Sequence, residues 1–219
     1  EHLDVGFAFD GDADRCLAVD ENGNTVDGDG IIYILARRLK ERGMLDKNKV
    51  IATVMSNGGL FRALDAAGTE YETTDVGDRF VYERMQETGC RLGGEQSGHI
   101  ILRKYATTGD GLLTAIMLSE ELRDRKTTLS KLAENVVPLP QKTENVRVID
   151  KAAVLADPEV LKKYGAINAE LGKKGRVLLR ASGTEPVVRI MAECEKKSDC
   201  EEYISKLYSV IKKRGYCRE

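Results

Sequence analysis

The sequence predicts an α/β protein in which a mixed, mainly parallel sheet domain flanked by helices is followed by a smaller α+β domain. Two observations carry that class. Up to residue 125, β-rich apolar runs alternate with helical periodicity at βαβ spacing; Pro138 and Pro140 then interrupt the pattern, and strands and helices resume in a different order.

Leu3 to Phe9 reads as a buried strand, and with no turn or cap before it the chain reads as one cut from a larger protein. Cys16 to Val19 is a second strand, and Asn22-Gly23, whose residues tolerate positive φ, marks a hairpin turn. A helix is expected over Asp29 to Glu41, with Asp27-Gly28-Asp29-Gly30 supplying its amino-terminal cap rather than a second metal site. Lys49 to Met55 is a strand, Leu60, Leu64 and Ala67 line a helix, Tyr71 to Thr74 is a strand, and Val81 and Met85 line a helix stopped by Gly89. A helix capped by Asp110 follows, its apolar residues Leu112, Leu113, Ile116, Met117 and Leu122 covering the sheet. Beyond a boundary near residue 140 come a strand over Asn145 to Ile149, a helix over Lys151 to Tyr164, strands over Arg176 to Arg180 and Val187 to Glu193, and a helix over Asp199 to Lys213. Their sheet is expected to be mixed, with helices on one side.

The chain has 219 residues, 42% hydrophobic and 32% charged, which fits a globular protein and excludes disorder as a description of the whole. With 34 Lys+Arg against 36 Asp+Glu, the formal charge of -2 gives no global field for nucleic acid or an anionic membrane, so any anion site is local. Apolar runs such as Gly111 to Leu118 fall short of the roughly 18 residues that cross a bilayer, and no export signal is read. Cys16, Cys90, Cys194, Cys200 and Cys217 form no CxxC pair, so neither a disulfide framework nor a zinc site is expected, and reduced thiols in a cytoplasm are.

Three loops have the residue types for chemistry. In Asp10-Gly11-Asp12-Ala13-Asp14-Arg15, a strand ends in three carboxylates at alternate positions. Oxygen-only ligands suit a hard divalent ion such as Mg²⁺; a solvated acidic turn is the plain alternative, an EF-hand lacks its twelfth-position glutamate, and a haloacid-dehalogenase-like phosphatase would use Asp10 as nucleophile. In Gly93-Gly94-Glu95-Gln96-Ser97-Gly98-His99, a carboxylate and a hydroxyl can grip sugar hydroxyls, although the segment is also readable as a turn. His99 is a candidate acid/base near neutral pH or a satisfied structural histidine. In Arg180-Ala181-Ser182-Gly183-Thr184-Glu185-Pro186, continued by Arg189, hydroxyls, amides and guanidinium groups suit a phosphate; a β-turn with surface arginines is the alternative. Asp75-Val76-Gly77-Asp78-Arg79 either brings Arg79 into a cleft or caps a helix beside a surface ion pair.

Taken in order, these loops resemble the α-D-phosphohexomutase family, which joins an Asp-rich metal loop, a Gly-Glu-x-Ser-Gly-His sugar loop and an Arg-x-Ser-Gly-Thr-Glu-Pro phosphate loop. Gln96 points within that family to amino-sugar members rather than to phosphomannomutases and phosphoglucomutases. The resemblance implies residues 1–24 as the end of domain two, 25–140 as domain three and 141–219 as domain four. It implies that Asp10, Asp12 and Asp14 hold Mg²⁺, that Arg15 and His99 act beside the transferring phosphoryl group, and that Glu95, Ser97 and His99 meet the sugar, with Arg79 a further substrate-binding candidate from its place at a strand-to-helix junction. Arg180, Ser182, Gly183, Thr184 and Arg189 would hold the non-reacting phosphate.

The reaction implied is the interconversion of glucosamine 6-phosphate and glucosamine 1-phosphate through a bisphosphorylated intermediate. The family's phosphoserine motif does not occur here, so the partners implied are a phosphosugar and the amino-terminal domains of the same protein. Without them the chain is expected to be inactive and to hold Mg²⁺ weakly. A homodimer is compatible with this reading; a sugar-phosphate sensor is the rival outside enzymes.

Overall fold

The computed structural model describes residues 3–183 and 185–218, and its contacts divide the chain into a first unit ending at Pro138 and a second beginning at Leu139. The first unit opens with three short antiparallel strands, β1 (Gly6–Phe9), β2 (Cys16–Val19) and β3 (Thr25–Val26), in the order β1-β2-β3. Gly23 turns the second hairpin at φ 85°, and Oδ1 of Asp20 accepts from the amides of Asn22 (2.9 Å) and Asn24 (2.8 Å). The strand expected over Leu3 to Phe9 is shorter and less buried than its composition suggests. It lies at the sheet edge, and Phe9 is 43% exposed.

Next come α1 (Gly28–Glu41), β4 (Lys49–Thr53), α2 (Gly58–Ala66), β5 (Glu70–Thr74), α3 (Asp78–Thr88), β6 (Leu92–Gly94), β7 (Ile100–Leu102), α4 (Gly111–Arg125) and α5 (Leu129–Ala133). The sheet order is β5-β4-β6-β7: β4 runs parallel to β5 and β6, and β7 is antiparallel to β6, the mixed and mainly parallel arrangement that the alternating pattern predicts. The periodic residues form the core, with Ile31, Leu35, Leu60, Leu64, Val81 and Met85 all inaccessible. Gly89, in the left-handed region, ends α3 as expected.

Helix α4 does not present the whole apolar set to the core. Leu112 is 62% and Ile116 50% exposed, whereas Thr114, Met117, Leu118 and Glu121 are buried. The reason is electrostatic: Arg38 of α1, 2% exposed, donates to Glu121 at 2.7 Å and to Glu120 at 2.6 Å, so a charged pair occupies a position that hydrophobic periodicity gives to solvent.

The second unit contains β8 (Gln141–Arg147), α6 (Lys151–Ala156), α7 (Pro158–Leu171), β9 (Gly175–Ala181), β10 (Val187–Cys194) and α8 (Lys197–Lys213). Its sheet, β8-β10-β9, is antiparallel throughout rather than mixed, because a short loop returns β9 directly into β10 and β8 pairs with the other edge of β10. Strand β8 begins earlier than Asn145, its first half being polar because it is largely exposed, and Ile149, 70% exposed, lies beyond its end. The single helix expected over Lys151 to Tyr164 is two. Asp157 accepts from the amides of Glu159 (2.8 Å) and Val160 (3.2 Å) while Pro158 takes the first helical position, so a fresh amino-terminal cap divides the segment.

Candidate functional site

Between β1 and β2 the chain reverses through a turn in which the Ala13 amide donates to the Asp10 carbonyl at 3.2 Å. Ala13 lies at φ 58°, a region that residues other than glycine seldom enter and that concentrates at functional sites. The turn gathers carboxylate oxygens of Asp10, Asp12 and Asp14 within 4.8 Å of one another. Asp10 Oδ1 accepts from the Arg15 amide at 3.2 Å, and the Arg15 side chain lies 3.8 Å from its other oxygen. Asp14 Oδ1 is buried with no hydrogen-bond partner. Three crowded carboxylates, one with a buried oxygen that no donor satisfies, fit a hard divalent cation bound through oxygen.

The second loop is seated on the start of α1. The Gly28 amide donates to the Gln96 carbonyl at 3.0 Å, and Gln96 Nε2 donates to Asp27 Oδ2 at 3.2 Å. Asp27 Oδ1 meanwhile caps the helix by accepting from the amides of Asp29 (3.1 Å) and Gly30 (3.2 Å). A Cβ on residue 28 would stand 2.0 Å from the Glu95 carbonyl oxygen, so glycine is required for this close approach. Glu95 is 8% exposed, and its Oε1 accepts from the Gly77 amide at 3.0 Å. Ser97 is exposed at the loop tip.

The first two loops meet directly. Arg15 and His99 form an antiparallel bridge, and the Cys16 amide donates to the Gly98 carbonyl at 3.0 Å. His99 is 2% exposed; its Nδ1 lies 3.1 Å from Asp14 Oδ2, and its Nε2 accepts from the Gly109 amide at 2.9 Å. Arg79 is not drawn in: its side chain is 80% exposed and donates to Glu83 one helical turn away at 2.7 Å, so from the 75–79 segment it is the Gly77 amide that reaches Glu95.

The third loop belongs to the second unit. Ser182 is buried; its amide donates to Val187 at 3.0 Å and its Oγ accepts from the Glu185 amide at 3.2 Å, while Gly183 is exposed. Thr184 lies outside the described residues. Arg180 and Arg189 are direct cross-strand partners, which places both guanidinium groups on one face. Arg189 reaches Glu185 at 3.4 Å, yet its Nε is buried without a partner. This is an arrangement suited to an anion.

Several contributing residues escape a reading of the sequence. The cap assigned to Asp27 accounts for one carboxylate oxygen and leaves the other, which holds Gln96, unread. Gly109 had a signal in the glycine-rich run Gly109-Asp110-Gly111 before a helix. Lys151 had a subtler one: a cation in the first turn of a helix opposes the dipole, and here its Nζ donates to the loop carbonyls of Ser182 (2.6 Å) and Glu185 (3.0 Å).

Both units match known protein domains. Residues 27–139 match the model of the phosphoglucomutase/phosphomannomutase alpha/beta/alpha domain III, and residues 144–209 match that of the phosphoglucomutase/phosphomannomutase C-terminal domain. Phosphoglucosamine mutase of Lachnospira eligens is 55% identical over 216 residues, which are 99% of this chain and 48% of that protein. The phosphoglucosamine mutase of Oceanobacillus iheyensis is 51% identical over 211 residues, 96% of this chain and 47% of that protein. The chain thus spans about half the length of the curated relatives it matches. Among solved structures, Aspergillus fumigatus N-acetylphosphoglucosamine mutase in complex with GlcNAc-6P and magnesium shares the fold at a TM-score of 0.78 and 19% identity, over 96% of this chain and 49% of that one. With an Asp-rich loop joined to the 95–99 loop in the first unit and an arginine pair in the second, these matches lead to one assignment: the chain belongs to the phosphoglucomutase/phosphomannomutase family.

Proposed function

We propose that this chain is the sugar- and phosphate-binding half of a phosphosugar mutase that interconverts glucosamine 6-phosphate and glucosamine 1-phosphate through a bisphosphorylated intermediate. The observation that carries this reading is the direct seating of the Asp-rich loop on the sugar loop through the Arg15 and His99 bridge. Identity of 55% and 51% to phosphoglucosamine mutases favours an amino sugar over the gluco and manno sugars of the family's wider name.

Asp10, Asp12 and Asp14 would hold Mg²⁺, the hard ion that their oxygen donors suit. Bound there, it would neutralise charge on a transferring phosphoryl group. Arg15, adjoining this cluster, would bind the same group. Glu95 keeps one carboxylate oxygen on the Gly77 amide and can accept from a sugar hydroxyl with the other, while Ser97 offers a hydroxyl at the exposed tip. Arg180, Ser182, Gly183, Thr184 and Arg189 would take the phosphate that does not react. Phosphoryl transfer asks a protein for positioning and charge compensation more than for covalent chemistry, and these groups supply both. The phosphorylated serine would come from the half of the relatives' length that this chain does not span, in a cytoplasmic enzyme.

Titration of the chain with glucosamine 6-phosphate, followed by amide chemical shifts, is expected to move residues of both the 95–99 and the 180–189 loops without forming the 1-phosphate. Silence in both loops would sink the reading. Turnover of phosphate esters by this chain alone, abolished by Asp10→Asn, would replace it with a phosphatase.

A further inference from the structure

We propose that His99 is a positioning residue that presets Asp14 as a cation ligand, with the Gly109 amide fixing the imidazole tautomer. The inference rests on the metal reading of the Asp10 to Asp14 loop and assigns His99 a task other than proton transfer to substrate. Its basis is the completeness of the imidazole's surroundings. His99 is 2% exposed, and Nε2 accepts from the Gly109 amide at 2.9 Å, so its in-plane lone pair is engaged. A neutral ring must then carry its proton on Nδ1, which faces Asp14 Oδ2 at 3.1 Å. The other oxygen of Asp14, buried and without a donor, is left for the ion.

The backbone makes this orientation hard to escape. A Cβ at residue 109 would lie 2.6 Å from His99 Nε2 and 2.7 Å from the Asp14 carbonyl oxygen, so only glycine lets that amide approach the ring. The Gly111 amide donates to the Ala13 carbonyl at 3.0 Å, and Arg15 bridges to His99, so the backbone carrying Asp14 is held on both sides and that carrying the ring is tied to it. Asp78 Oδ2, 4.0 Å from Nε2, is too distant to replace the Gly109 amide as its partner. A histidine so placed orients a ligand carboxylate through the nitrogen that does not face the backbone donor, and outer partners of this kind are worth about 10- to 100-fold in metal affinity.

The test uses the full chain with Mn²⁺ as a spectroscopic probe, read by electron paramagnetic resonance and by calorimetry. Asp12→Asn is expected to abolish binding, His99→Phe to weaken it about 10- to 100-fold, and His99→Asn, which restores an N–H near the Nδ1 position, to recover most of the loss. Independently of any variant's folding, long-range proton–nitrogen spectra of the unmodified chain should show Nδ1 of His99 protonated and Nε2 unprotonated. The opposite tautomer would overturn the proposal. So would His99→Phe binding as tightly as the parent while Asp12→Asn does not, a result that keeps the metal loop and removes the role of His99. No binding by the parent chain, with Asp12→Asn indistinguishable from it, would defeat the metal reading and this inference together.

Discussion

At residue 28 a single added methyl group would meet the Glu95 carbonyl oxygen at 2.0 Å and the Gln96 carbonyl oxygen at 2.9 Å. Both are backbone atoms that cannot swing aside, so Gly28→Ala must either push the 95–98 loop off α1 or unwind the first turn of the helix. Overpacking of this kind costs about 1–3 kcal/mol. We expect a urea midpoint lowered accordingly and a loss of glucosamine 6-phosphate affinity, both measurable on one sample series; unchanged affinity would mean that the loop does not depend on its seat. The residues proposed to meet the ligand stand out in the sequence because their types declare their chemistry, as with the alternating aspartates and the Glu-Gln-Ser tip. Asp27, Gly77, Gly109 and Lys151 were harder to read. They act through a second carboxylate oxygen, two backbone amides and a side chain bound to carbonyls, none of which residue identity announces.

Helix α7 illustrates what an element draws from its cap. Burial opposes ionisation of Asp157, but hydrogen bonds from Arg214 (2.8 Å), Tyr216 (2.9 Å) and the Val160 and Glu159 amides outweigh it and hold its carboxyl down to about 2. A free aspartate titrates near about 3.9, so the unfolded chain takes up this proton first as the pH falls. The stabilisation is therefore complete above about pH 4 and fades as the pH drops toward about 2. Asp157→Asn should flatten this part of the stability curve, seen as urea midpoints that vary less with pH than the parent's. The same residue explains the misread helix: Asp-Pro inside an otherwise helical run is a cap followed by a first-turn proline, and periodicity alone does not register it. Helix α4 failed differently, because a buried Arg38–Glu121 pair defeats any method that equates charge with solvent.

On the scale of the molecule, the two largest hydrophobic clusters, one in each unit, share no residue. One is built on Ile31, Leu60 and Leu92, the other on Val188, Ile190 and Leu207. Separate cores favour separate cooperative units, so calorimetry is expected to resolve two melting transitions. One transition whose calorimetric and van 't Hoff enthalpies agree would refute this. The class of the first sheet was visible in its βαβ rhythm, whereas the antiparallel character of the second depends on β8 pairing with β10 rather than with β9, and no local pattern carries that choice.

The facing of Arg180 and Arg189 across the β9–β10 pair has a consequence for the stability of the second unit. Like charges directly opposite one another weaken a strand pair, and Glu185, 3.4 Å from Arg189, offsets part of that repulsion. On the proposed function, a phosphate ester bound between them would remove the remaining repulsion, and by mass action a ligand at about 100 times its Kd adds about 2.7 kcal/mol to the folded state. Under that reading the hairpin would be a gauge as well as a grip, its firmness rising with the phosphorylated sugar around it.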